Sequence, residues 1–108
     1  MRDEHFRQDH APDPLIIPTA NARWYTEATA AQTDVRANAG KIDAPILLLY
    51  GGEDKVADAD VTEAWAPSLK NADSERLAGF YHELINEPPE DRQRVMSRII
   101  TWIQQRVA

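Results

Sequence analysis

The run Pro45-Ile-Leu-Leu-Leu-Tyr50, opened by a proline and closed by Gly51-Gly52, constrains the fold of this chain most. From Ile46 to Leu49 it is continuously apolar, so it has no solvent face of its own. Such a run predicts a strand covered on both sides, as in parallel sheets sandwiched between helices. The residues that follow extend the pattern. Asp58 or Asp60 can cap a helix whose apolar positions Val61, Ala64, Trp65 and Leu69 share a face. Ser74 to Ala78 then reads as a second strand, weaker because Glu75 and Arg76 make it half polar. Two strands joined through a helix imply parallel pairing by a crossover connection.

The flanks are helical. Thr19 can cap a helix in which Trp24, Ala28, Ala31 and Val35 fall on one face, and Gly40 suits the left-handed position just past its end. Pro88-Pro89 opens a last helix with Val95, Ile99, Trp102 and Ile103 as its buried stripe and Glu90/Arg94 as an i,i+4 pair. Trp24, Trp65 and Trp102 all lie on such stripes and are expected in the core. Residues 1–13 are polar and without period, and Asp13-Pro14-Leu-Ile-Ile-Pro18 is expected to be extended because each proline biases its predecessor away from helix. The predicted class is therefore α/β, in the order α-β-α-β-α, with an N-terminal arm over 1–18 and the folded part over 19–108. A two-stranded parallel sheet flanked by three helices leaves an exposed strand edge and an unpaired apolar helix face. Such a unit is expected to need either more sheet or a second copy of itself.

Composition removes several functions. With 108 residues there is room for one domain. A net charge of −6, with the basic residues scattered among acids, argues against nucleic acid as a partner. The absence of cysteine excludes disulfides, thiol catalysis and zinc-thiolate sites. The charged start Met1-Arg-Asp-Glu-His-Phe-Arg has no apolar core of a signal peptide, and no apolar run approaches the length of a transmembrane segment. A soluble, cytoplasmic protein is expected.

Two residues carry the candidate chemistry. Asp54 follows Gly51-Gly52-Glu53 at the end of the first strand, where open α/β sheets place their ligands. It can orient a histidine, or it can simply supply turn chemistry between strand and helix. His82 follows Gly79-Phe80-Tyr81 just past the second strand. Alone it is an ordinary loop histidine. Paired with Asp54 across two adjacent parallel strands, it stands on the same rim. The grouping His82, Glu83, Glu87 resembles a set of metal ligands but lacks the helical His-Glu-x-x-His spacing, so no metal is expected there. Gly51-Gly52 has no third glycine and is not a dinucleotide fingerprint. Ser68, Ser74 and Ser97 sit on helices or a strand start, and none is a nucleophile.

Lys41-Ile-Asp-Ala-Pro-Ile-Leu-Leu-Leu-Tyr-Gly-Gly-Glu-Asp54-Lys-Val, Gly79-Phe-Tyr-His82-Glu-Leu-Ile-Asn-Glu87 and the stretch from Arg94 to Ile103 together resemble the C-terminal portion of the α/β-hydrolases. The similarity is to the group of monoacylglycerol lipases, lysophospholipases and serine aminopeptidase-like hydrolases. Asp13-Pro14-Leu15 and the helix around Trp24 resemble the segment that leaves that family's cap region. The resemblance implies Asp54 as triad acid and His82 as general base, in the family's chain order Ser, Asp, His. It implies hydrolysis of lipid-type carboxylic esters through an acyl-enzyme, with no metal or organic cofactor. No Gly-x-Ser-x-Gly elbow stands before Asp54. The nucleophile half is expected to come from elsewhere, and the chain alone is expected to be inactive. The alternative is a non-catalytic protein that homodimerises through its open sheet edge.

Overall fold

Backbone pairing begins where the apolar run begins. In this computed structural model, which describes residues 2–10 and 12–107, β1 spans Ile46–Gly51 and lies parallel to β2, Ala72–Leu77. The register runs from Ile46 opposite Ala72 to Gly51 opposite Leu77. Between them α3, Ala59–Trp65, makes the crossover. Its cap is Asp58, whose Oδ1 accepts from the amides of Asp60 at 2.9 Å and Val61 at 3.1 Å. Of the α3 stripe, Leu69 just beyond the helix is buried and Trp65 half-buried, whereas Val61 and Ala64 are exposed. The residues of β1 before Gly51 are half-buried rather than covered on both faces, because an apolar depression toward α4 stays open beside Ile46, Leu47 and Leu49.

β2 starts two residues earlier than Ser74 and stops at Leu77, and its polar residues have structural work. Asp73 and Glu75 alternate to one side, toward α4, Pro89–Val107. Glu75 accepts from Arg98 Nε at 2.9 Å, and Asp73 accepts from Trp102 Nε1 at 2.6 Å and from Arg106 at 2.7 Å. Arg76 points the other way, donating to Asp60 and Glu63 of α3, each at 2.7 Å, and to the Gly52 carbonyl at 3.2 Å. Period two thus sends acids to one helix and the base to another. The expected Glu90–Arg94 pair does not form. Arg94 faces Glu75 across the strand–helix junction instead, at 3.9 Å.

The core is small. Leu77, Phe80 and Val95 are buried, with Leu49, Leu84 and Ile99 packed against them. On α4 the expected stripe is graded: Val95 is buried, Ile99 and Trp102 are half-buried, and Ile103 is exposed.

The N-terminal third departs further from expectation. Part of the arm is helical, as α1 over Glu4–His10, because Asp3 Oδ1 accepts from the amide of His5 at 2.9 Å and opens a first turn. Met1 and Ala11, which the arm was expected to include, lie outside the described residues, as does Ala108. Asp13 makes a turn before the chain straightens toward Pro18, accepting from the amide of Leu15 at 2.8 Å. α2 spans Ala22–Asn38 and is capped by Asn21, not Thr19, since Asn21 Oδ1 reaches the amide of Trp24 at 2.8 Å. None of its residues is buried, and Trp24 is 63% exposed. Gly40 is not left-handed; the chain tightens into a 3₁₀ turn over Ala39–Lys41. The glycine with positive φ is Gly79, at 80°. No helix among the described residues is long and apolar enough to cross a membrane.

Candidate active site

Asp54 is fixed by the turn it begins. Its Oδ1 accepts from the backbone amides of Val56 at 2.7 Å and Ala57 at 3.0 Å. That leaves Oδ2 directed at His82 Nδ1, 2.8 Å away. The Asp54 side chain is 7% exposed and that of His82 48%. The carboxylate is therefore sheltered while half the imidazole surface stays open. Partial burial pushes the Asp54 carboxyl up, but the Ala57 and Val56 amides and then the hydrogen bond and charge of His82 outweigh it, holding the group below its ordinary value. An ionised Asp54 accepts only, so His82 Nδ1 carries the proton of this bond, and in the neutral imidazole the lone pair is on Nε2.

The two loops meet through backbone as well as side chains. The amide of Gly52 donates to the Leu77 carbonyl at 2.8 Å, and that of Glu53 donates to the Phe80 carbonyl at 2.9 Å. Gly51 is the point of closest approach. A Cβ there would lie 2.2 Å from the Tyr81 carbonyl oxygen and 2.5 Å from that of Phe80. Only a residue with no side chain lets β1 pass so near the histidine loop. The left-handed turn at Gly79 then reverses the chain, with the Phe80 amide donating to the Leu77 carbonyl at 3.2 Å.

Glu87 is 0% exposed. Its Oε1 accepts from the Tyr81 amide at 2.7 Å, next to His82 in sequence, and its Oε2 accepts from Arg2 Nε at 2.5 Å. Glu83 turns instead to the side-chain amide of Asn86, at 2.7 Å. The carboxylates of the His82, Glu83, Glu87 grouping therefore serve separate partners, and no group of three or more ligating side chains converges among the described residues. Gly51 and Glu87 are the site residues whose roles the sequence leaves hidden. The Gly-Gly pair hinted at the first; nothing local announced the second. A further feature adjoins the rim: Ile46, Leu47, Leu49, Ile99, Trp102 and Ile103 line an open apolar depression between β1 and α4.

A family model matches most of the chain. Residues 1–89 fit the model described as serine aminopeptidase, S33. The chain belongs to the serine aminopeptidase S33 family. Among solved structures, this S33 chain is similar to the monoacylglycerol lipase of Paleococcus ferrophilus, with a TM-score of 0.84 and 23% identity over 94% of its length. It is similar also to a hydrolase described as CIB-like from Thermoplasma acidophilum, with a TM-score of 0.52 and 22% identity over 62% of its length. It spans 40% of the lipase chain and 32% of the other. At such identities the likeness is one of fold, and the fold is that of the α/β-hydrolases, as the sequence resemblance implied. No curated protein matches the sequence of this S33 chain.

Proposed function

We propose that this chain supplies the acid and base of a serine ester hydrolase, Asp54 and His82, acting on esters of the monoacylglycerol or lysophospholipid type. The nucleophile and the oxyanion-hole donors would belong to polypeptide outside these 108 residues. One observation carries the proposal: the 2.8 Å bond from His82 Nδ1 to Asp54 Oδ2, made beyond the carboxyl ends of two adjacent parallel strands. The lipid-ester class is supported by the fold shared with the Paleococcus lipase.

The chemistry follows from the pair. His82 Nε2 takes the proton of a serine hydroxyl as its oxygen attacks the ester carbonyl, and then gives that proton to the departing alcohol. A water molecule repeats the cycle on the acyl-enzyme and releases the carboxylic acid. Asp54 holds the tautomer with Nδ1 protonated and stabilises the transient imidazolium. The open β1 edge and the apolar depression beside it would receive the remainder of the sheet. A second role rests on the same open edge: two copies pairing along β1, with Asp54 and His82 unused.

A fluorophosphonate probe applied to the product of the natural gene separates the two. The hydrolase expects covalent labelling that His82→Ala abolishes, and no saturable hydrolysis of a short nitrophenyl ester by the 108-residue chain alone. A saturable rate from that chain alone, lost in His82→Ala, would put a nucleophile inside it and overturn the division of labour. An unlabelled product that sediments as a dimer would favour the paired, non-catalytic role.

A further inference from the structure

We propose that Arg2 and Glu87 are positioning residues for His82: the buried Glu87 paired with the half-buried Arg2 of the N-terminal arm, fixing the backbone from which the base projects. The inference rests on His82 being the base proposed above.

The loop from Tyr81 to Glu87 has no regular partner for its first amide. Glu87 reaches back six residues to accept it, drawing the segment into a closed ring with His82 inside. Its second oxygen would be stranded without Arg2, since Glu87 has no contact with solvent. A buried carboxylate that loses its cation is strongly destabilised, and it escapes by taking up a proton or by moving toward water, either of which weakens its hold on the Tyr81 amide. Arg2 is therefore required for the ring to stay closed.

Arg2 is also held in place. Its guanidinium pairs with Asp91 in the first turn of α4 and lies 5.1 Å from the centroid of the Phe80 ring. Phe80 belongs to the histidine loop and to the core at once. Arg92 stands 5.8 Å from the Phe6 ring of α1, a second tie between arm and α4. The arm thus connects to the base through one side chain, over a separation of 85 residues. Lifting the arm would leave Glu87 without Arg2 while it still holds the Tyr81 amide, so the arm acts as a strap on the pair.

The test reads the imidazole itself, without any ester turnover. Long-range ¹H–¹⁵N spectra of the chain report which ring nitrogen of His82 is protonated, with Asp54→Asn showing what a released ring looks like. The unsubstituted chain is expected to give one fixed tautomer, protonated on Nδ1. Arg2→Ala and Glu87→Ala are expected to give averaged ring signals close to those of Asp54→Asn. Arg2→Lys, which keeps the charge, is expected to restore much of the fixed tautomer. Arg106→Ala, which removes a bond to Asp73 near the C-terminal end of α4, is expected to lower the melting temperature and leave the ring signals in place. If Arg2→Ala folds, melts lower and still shows the fixed tautomer, the ion pair is structural only and the proposal is overturned. Should Glu87→Ala fail to fold, the contrast between Arg2→Ala and Arg2→Lys decides. If the chain shows the fixed tautomer yet the product of the natural gene never labels with fluorophosphonate, the hydrolase is overturned and the positioning stands.

Discussion

The loops around Asp54 and His82 and the helix α2 make opposite use of similar lengths of chain. At the site, side chains, backbone amides and a glycine contact converge on two residues. Along α2, seventeen residues bury nothing, and Trp24 and Tyr25 stand in solvent. The first region is determined from several directions within the chain, so few alternatives remain to it. The second is determined locally, by a cap and by hydroxyls that turn back to their own helix, as Thr29 does to the Tyr25 carbonyl at 2.8 Å. An apolar stripe identifies a face that has to be covered; it does not say by what.

Substitution at the site should therefore hurt and substitution on α2 should not. The largest effect is expected from Gly51→Ala, which places a methyl group against two backbone carbonyls that no rotamer change can move. Its cost should be about 1–3 kcal/mol or more in chemical denaturation, with release of the His82 ring. An unchanged midpoint would mean that the loops are not so closely joined.

A smaller effect concerns acid. The Asp54 carboxyl lies below its ordinary value of 3.8 in the fold. As pH falls, the unfolded chain then takes up this proton before the folded one does. The resulting stability is present above 3.8 and disappears as pH drops through the folded value. Urea midpoints followed down through that window should fall less steeply in Asp54→Asn than in the parent. Parallel slopes would show that the turn and His82 do not hold the carboxylate.

The smallest effect is expected from Trp24→Ala, within about 0.5 kcal/mol for the chain alone, because an exposed side chain has little packing to lose. The comparison sharpens if the product of the natural gene is tested beside it. A cost of several times that figure there would identify α2 as a surface that another part of the polypeptide, or another molecule, covers.

Much of the site was legible because its signals are local. A proline, four apolar residues and two glycines specify β1 and its turn, and Asp54 and His82 follow their strands directly. Asp58 capped α3 as its position suggested. The gaps have physical causes. The choice between Thr19 and Asn21 depends on where the turn after Pro18 ends. Asn21 wins because its oxygen meets an amide three residues on. The left-handed position passed from Gly40 to Gly79 because α2 ends by tightening, whereas the histidine loop has to reverse. The Trp24 stripe was correctly periodic and yet unburied. Glu87 resembled a ligand because carboxylates near a histidine often are ligands; its partners are an amide and a guanidinium from the opposite end of the chain. Local pattern carries no record of such a distant pairing.

The charged strand β2 has a consequence for assembly. Its acids are committed to α4 and its arginine to α3, and charges flanking an outer strand discourage further addition there. Among the described residues, the β1 side of the sheet offers unpaired backbone beside apolar residues. In the language of polymer chemistry its two sheet edges are unequal end groups. On the β1 side it can meet further strands of a growing sheet or the same side of a second copy.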